Sequence, residues 1–580
     1  MSKPLPPSDP TALRRKAAIG LTALALAAIV AAGLICGDDG GRGVAQSYAA
    51  AWARQDFRAM YSQLSKESKD KLSFASFSTL QAEALATATV RRLTAREAGK
   101  VSNGVAQVPF TVETRAFGTL SLVARIPLTA DNSDAHVVWS SSLLLPGLHR
   151  GESLSRSTSL PPRAALLASD GVALAEGPFR VSTIPEVASE VVGTVAAPIG
   201  GVGLTLKALG YPSDASVGIT GLERIFQAQL AGTPGGTLSA GGRLLASTTP
   251  KEGKSVRTTI VPSVERAAIT AMAGRQGGAA VIRPKTGEIL ALARSAFSEA
   301  APPGSTFKII TAAAALDSKV ATLKTFYPAQ TEAVLDGHSV QNANGESCGG
   351  TLVQSFAYSC NSVFAPLGVK VGAARLVEMA ENLGFNRSLT NIPGASISRI
   401  PQASELQGAD ATGTSSIGQG QVVASALEMA SVAATVANGG VRAEPTLTPV
   451  TRPTASKRAM SPEVTSAMRT LMLAVVRYGT GMSAAIPGVA IAGKTGTAEI
   501  RDTVPVDPNN PADPNNPEDP NAPAVIPNDP ANTDAWFVAF APAWQPRLAV
   551  CVLLDGAGHG GDTAAPAARD ILVAALKNRR

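Results

Sequence analysis

The chain begins with polar residues and then a long apolar run. Ala17 to Cys36 carries no charge and is rich in Ala, Leu and Ile, long enough to cross a bilayer as one helix. Arg14, Arg15 and Lys16 precede it, and Asp38 and Asp39 follow. By the positive-inside rule, residues 1–16 stay in the cytoplasm, residues 17–36 anchor the chain, and residues 40 onward are exported. The run is long for the apolar part of a cleavable signal peptide, and it ends in Leu34-Ile35-Cys36 without a small-residue cleavage site. The expectation is a single-pass transmembrane anchor in a bacterial cell membrane, with an extracytoplasmic body.

Past the anchor the periodicity changes twice. Val44 to Ser65 carries apolar residues at helical spacing, Tyr48, Trp52 and Tyr61 among them, and helical pattern continues to about Glu97. Alternating runs then predict strands over Gln107–Arg115, Gly118–Pro127 and His136–Leu145. Helices followed by a curved antiparallel sheet make residues 42–147 an α+β cone. Arg163 to Ala175 reads as strand, Asp170-Gly171 turn, strand. It opens a mostly β or α+β region placed at 150–255.

The last segment, 256–580, predicts an α/β layered domain. Strands at Ala279–Ile282 and Glu288–Ala293 flank the turn Pro284-Lys285-Thr286-Gly287, and helical stretches run to about Gly440. Strands return at Val489–Glu499, Ala535–Phe540 and Leu548–Leu554, before a closing helix at Ala564–Lys577. One sheet therefore draws its strands from both ends of the segment. Residues 502–534 break the pattern with nine prolines, seven acidic residues and no lysine or arginine. Such a stretch cannot build ladder hydrogen bonds or a core, and reads as an extended inserted loop. Asp507, Asn509 and Glu518 fall at EF-hand positions, but Pro511 and Ala512 replace a ligand and the required glycine.

Composition narrows the function classes. At 580 residues the chain exceeds one core, and 45% hydrophobic with 16% charged residues fits folded domains. A net charge of +7 without a basic, aromatic-studded stripe argues against nucleic-acid binding. Four scattered histidines, His136, His149, His338 and His559, have no ligand spacing, so no metal is expected. Cys36 and Cys551 sit in apolar surroundings. Cys348 and Cys360 share the exported part, where an oxidising exterior makes a bridge between them a working hypothesis.

Three short blocks carry candidate chemistry: Ser305-Thr306-Phe307-Lys308, Ser359-Cys360-Asn361 and Lys494-Thr495-Gly496-Thr497. A serine hydroxyl needs a base to become a nucleophile. If Ser305 begins a helix, Lys308 lies one turn along the same face, within reach of the hydroxyl. Lys308 acts as a base only if its pKa falls, which burial and the charge of Lys494 would achieve. Ser359 offers a hydroxyl for proton relay, and Asn361 an amide for a substrate carbonyl. Lys494, Thr495 and Thr497, on a strand, can grip a terminal carboxylate, while Gly496 leaves room for a substrate backbone. The N–H groups of Ser305 and Thr497 suit an oxyanion hole. This set of blocks occurs in penicillin-binding proteins and serine β-lactamases.

The order and spacing of the blocks resemble the class B penicillin-binding proteins. So do Gly221-Leu222-Glu223, Gly232-Thr233-Pro234-Gly235, Gly418-Gln419-Gly420, Leu427-Glu428-Met429-Ala430, Ala437-Asn438-Gly439-Gly440 and Ala535-Trp536-Phe537-Val538. The segment Ala45 to Trp52 with Gln55-Asp56-Phe57 resembles the NTF2-like domain at the front of some members, and 150–255 their non-catalytic dimerisation region. The resemblance implies a D,D-transpeptidase without a cofactor. Ser305 would attack the D-Ala-D-Ala bond of a peptidoglycan stem peptide, release D-Ala and pass the acyl group to a neighbouring stem. β-Lactams would acylate the same serine, and a separate glycosyltransferase would supply the glycan. A D,D-carboxypeptidase, a serine β-lactamase and a catalytically dispensable scaffold or sensor remain alternatives.

Overall fold

A computed structural model describes residues 40–129, 135–451, 457–499 and 532–577. The expected cytoplasmic tail, the anchor and nearly all of the Pro-rich stretch lie outside these residues. Among the described residues no helix is long and apolar enough to cross a membrane. They divide into two compact units, the first formed by residues up to 161 with 199–215 and 233–251, the second by 162–198, 216–232 and 252 onward.

In the first unit, α1 (Gly40–Ala53) buries Ala45, Tyr48, Ala49 and Trp52, spaced as one helical face. Trp52 meets Tyr48 and Phe110 edge to face. The single helix expected over Val44–Ser65 is broken. Gln55 turns to φ 57°, and Asp56 caps a new short helix, Phe57–Ser62, by accepting from Ala59 N. A further helix, Phe74–Thr87, leads to a three-stranded antiparallel meander of β1 (Val90–Ala95), β2 (Val105–Thr114) and β3 (Thr119–Pro127). Helical pattern to Glu97 was therefore one element too long: Thr89 adopts φ 54° and the chain pairs with β2 instead. His136–Leu145 is not a strand either. Only Val137 bridges its neighbours, and Ser140 and Ser142 bond each other ahead of a 3-10 turn at Ser141–Leu143. Local serine hydrogen bonds compete here with a ladder.

The stretch 150–255 does not form a unit of its own. Strands Leu154–Ser159, Gly235–Ala240 and Arg243–Thr248 make one antiparallel sheet within the first unit. The Leu166–Leu167 and Ala173–Ala175 strands flank the predicted turn, and Val256–Arg257 joins them in the second unit. Hydrogen bonds between segments far apart in sequence decide this split, which a linear boundary does not follow.

The second unit is built on a five-stranded antiparallel sheet: β4 (Gly277–Ile282), β5 (Ile289–Arg294), β6 (Ala492–Glu499), β7 (Thr533–Ala541) and β8 (Leu548–Leu554), in the order β5-β4-β8-β7-β6. Both ends of the segment do supply the sheet, as expected. Both faces are covered, so β7 from Ala535 onward and all of β8 are apolar, with successive side chains alternating between the two faces. Trp536, Val538 and Phe540 face the helical middle, including Ala426–Ala437. Phe537 and Ala539 pack with Pro262–Met272 and Ala564–Lys577 on the other side. β6 lies at one edge of the sheet, with its second side unpaired.

Candidate active site

Ser305 lies in a 3-10 turn, Gly304–Phe307, which passes directly into the α-helix Lys308–Asp317. Gly304, Thr306, Phe307 and Lys308 are buried, and Ser305 alone in this turn is partly exposed. The turn is wedged tightly against β6. A Cβ on Gly304 would come 2.6 Å from Thr497 O, and one on Gly418 would come 2.1 Å from Gly304 O. Gly304 and Gly418 also have φ of 50° and 77°, which disfavours any side chain. Gly496 has a related task. Its Cβ would meet Pro303 O at 2.8 Å and the side chains of Thr306 and Trp536 at 2.9 Å. On that face the room it leaves is filled by the protein itself.

Ser359 occupies the junction between two helices, Leu352–Ala357 and Asn361–Val371. A Thr351/Gln354 capping box starts the first, and Cys360 occupies the N-cap of the second. Ser359 itself adopts φ 63°. The hypothesised bridge is present: Cys348 and Cys360 are disulfide-bonded with Cα atoms 5.4 Å apart. It ties the residue between Ser359 and Asn361 to the strand Cys348–Thr351. Replacing both cysteines by serine is expected to lower unfolding stability by about 3 kcal/mol, as loop entropy gives for so short a closed loop. Denaturant titration checks this.

The three blocks converge on Ser359. Lys308 Nζ donates to Ser359 O at 2.7 Å and Asn361 Oδ1 at 2.5 Å, and lies 3.3 Å from Ser359 Oγ. Lys494 Nζ donates to Ser359 Oγ at 2.8 Å and Thr495 O at 2.9 Å. The expected contact of Lys308 with Ser305 is not made. Among the described residues no hydrogen bond joins Ser305 Oγ to another side chain; the Lys308 amine instead donates to Ser359 O and Asn361 Oδ1. Asn361 Nδ2 donates one N–H to Gln341 O at 2.8 Å, which leaves the other for a substrate carbonyl. Thr495 and Thr480 hydroxyls bond at 2.5 Å, and Gly560 N donates to Thr497 Oγ1 at 3.4 Å.

Both lysines are fully buried, over the rings of Phe364 and Phe356 respectively. Burial, and then the charge of Lys494, push the Lys308 amine well below the ordinary lysine range. Burial lowers Lys494 to about 7. Desolvation penalises a cation, and two such cations sharing one serine repel, so both effects favour the neutral form of Lys308. A neutral amine keeps two N–H donors for Ser359 O and Asn361 Oδ1 and a lone pair to accept a proton. The N–H of Ser305, early in its turn, has no acceptor within that turn's own pattern.

Sequence reasoning brought together Ser305, Lys308, Ser359, Asn361, Lys494, Thr495 and Thr497. It missed Thr480 and Gln341, which orient Thr495 and Asn361. Gly479-Thr480-Gly481 was a visible signal, since glycines around a hydroxyl mark close backbone approach. A backbone carbonyl such as that of Gln341 leaves no side-chain signature.

A partly exposed serine beside two buried lysines bridged by a second serine, on a sheet-and-helix scaffold, defines a serine acyltransferase. Residues 277–573 match the penicillin-binding protein transpeptidase domain, and residues 41–152 the NTF2-like N-terminal transpeptidase domain. The chain belongs to the penicillin-binding protein transpeptidase family. The peptidoglycan D,D-transpeptidase PbpA of Mycolicibacterium smegmatis is 33% identical over 437 residues, 64% of this chain and 81% of that protein. A crystal structure of PBPA from Mycobacterium tuberculosis is similar at a TM-score of 0.54 and 29% identity, covering 72% of this chain and 99% of that one. The penicillin G acyl-enzyme complex of the same protein gives 0.55 and 28%, with the same coverage.

Proposed function

We propose that this protein is a peptidoglycan D,D-transpeptidase that works by a serine acyl-enzyme and binds β-lactams covalently. The observation that carries the reading is Ser359 Oγ held between Lys308 and Lys494 beside the partly exposed Ser305. Ser305 Oγ attacks the carbonyl of the D-Ala-D-Ala bond and gives up its proton to neutral Lys308. The Ser305 and Thr497 N–H groups receive the developing oxyanion. Lys494 with the Thr495 and Thr497 hydroxyls holds the terminal carboxylate, whose charge favours the protonated amine of Lys494. Ser359, bonded to Lys494, relays a proton to the departing D-Ala amine. A neighbouring stem's amine then takes the acyl group.

The alternative outcomes separate in one assay. The purified protein is incubated with uncross-linked peptidoglycan, which is then digested and analysed by mass. Cross-linked dimers accompanied by released D-Ala are expected. Released D-Ala with trimmed monomers alone contradicts the transferase reading and leaves a carboxypeptidase.

The NTF2-like unit is proposed as a spacer, with residues 17–36 as a transmembrane anchor and the catalytic unit outside the cell membrane. Removing residues 1–36 is expected to move the protein from the membrane to the soluble fraction; retention in the membrane contradicts the anchor. Glycan strands are proposed to come from a separate glycosyltransferase.

A further inference from the structure

Two exposed tyrosines stand at the edge of this cluster. Tyr358 is 52% exposed and immediately precedes Ser359; Tyr478 is 41% exposed and ends the helix Pro462–Tyr478, two residues before Thr480. Their rings lie 6.2 Å apart between centroids with planes inclined by 54°. Phe356, Phe364 and Phe537 are fully buried, whereas this pair turns aromatic surface outward. Its position is fixed from both sides. Thr480 N donates to Ala357 O at 3.0 Å, and a Cβ on Gly479 would come 2.3 Å from the same oxygen. The two tyrosine-bearing segments are thus packed together, and Thr480 bonds on to Thr495.

The direction along β6 assigns the pair a side of the reaction. The Ser305 turn abuts Thr497, while Thr495, two residues back along the strand, contacts Thr480. On the proposed function, the scissile carbonyl lies by the N–H groups of Ser305 and Thr497, and the terminal carboxylate by Lys494 and the Thr497 and Thr495 hydroxyls, of which Thr495 lies farther from the Ser305 turn. The tyrosines then lie past the carboxylate, on the leaving-group side. Transfer reverses acylation, so the attacking amine must arrive where D-Ala departed.

We infer that Tyr358 and Tyr478 form the acceptor subsite, which takes the aliphatic, amine-bearing side chain of the second stem peptide across their ring faces. Methylene groups lose water against the rings, and an arriving ammonium is attracted to their faces. The arriving ammonium first gives one proton to solvent; in the step served, the resulting free amine nitrogen bonds to the carbonyl carbon of the Ser305 ester. The carbon–Oγ bond breaks, and the amine proton passes through Lys308 or Ser359 to Oγ, restoring the serine hydroxyl.

The inference rests on the transferase reading, and its test separates the two. The full-length protein receives an acyl-D-alanyl thioester donor and a short peptide with a free diamino-acid side-chain amine. Transfer is measured against acceptor concentration, and penicillin acylation in parallel. Tyr358→Ala and Tyr478→Ala are expected to raise the acceptor KM about tenfold, what 1.4 kcal/mol of lost contact gives, and to change acylation far less. Tyr358→Phe and Tyr478→Phe are expected to restore the wild-type acceptor KM, because the ring carries the contact. An acceptor KM insensitive to both alanine variants, in an enzyme that does transfer, overturns the subsite alone, as does an equal loss in both half-reactions. A wild-type protein that acylates but passes nothing to any amine overturns the transferase reading as well.

Discussion

Ser305→Ala is expected to lower β-lactam acylation by about 10⁶-fold, the scale seen when the nucleophile of a serine enzyme is deleted. The substitution removes one oxygen from a partly exposed position that makes no hydrogen bond to a described side chain. Helix Lys308–Asp317 and the glycines that seat the turn are untouched. Thermal unfolding and circular dichroism of the variant should match wild type, which separates a lost nucleophile from a lost fold. A variant that is still acylated at a comparable rate would mean that another residue attacks. The neighbouring hydroxyls differ from it: Ser359 Oγ is already held by Lys494 at 2.8 Å, and the Thr495 hydroxyl by Thr480.

Lys308→Met is expected to cost about 10²–10⁴-fold in acylation rate, the usual contribution of a positioned general base. Methionine keeps the apolar stem within its buried surroundings but removes the lone pair that takes the Ser305 proton. Lys308→Arg should be no better, since a guanidinium stays charged and cannot accept the proton. The pH profile carries the same claim. The neutral amine becomes more abundant as pH rises through the folded pKa of Lys308, which lies well below the ordinary lysine value. Acylation therefore rises with pH on the acid side and reaches its plateau well below pH 10. Lys494, near 7 in the free protein, must be charged to hold a carboxylate. At limiting substrate, the rate should fall again on the alkaline side as Lys494 loses its proton. At saturating substrate the bound carboxylate raises the Lys494 pKa, and that limb should move to higher pH. An acylation rate in Lys308→Met equal to wild type, or a profile that begins to rise only near pH 10, contradicts a neutral lysine base.

Local chemistry explains what was legible in the amino-acid sequence. The five-stranded sheet was readable because β4, β5, β7 and β8 are short apolar runs bounded by turns, and the catalytic blocks because residue type and spacing define each one. The fall in the Lys308 pKa followed from burial and a second lysine, both of which the structure supplies. Three features were not readable. The break at Gln55-Asp56 depends on one left-handed residue and one side-chain cap within a continuous helical pattern. The division of 150–255 between two units depends on pairings such as Leu154 with Ala240 and Leu166 with Val256, which span long stretches of chain. The filled space beside Gly496 depends on how closely the Ser305 turn docks on β6, a tertiary contact with no local pattern. The disulfide lies between these cases: the oxidising compartment suggested it, but only the 5.4 Å approach of Cys348 and Cys360 establishes it.

The most direct test of serine acyl transfer at this site is peptide mapping of the purified wild-type protein after exposure to penicillin. A single stable adduct of the drug's mass on the peptide containing Ser305 is the predicted result. An adduct on another residue, or no adduct at any time point while the drug remains intact, would contradict it.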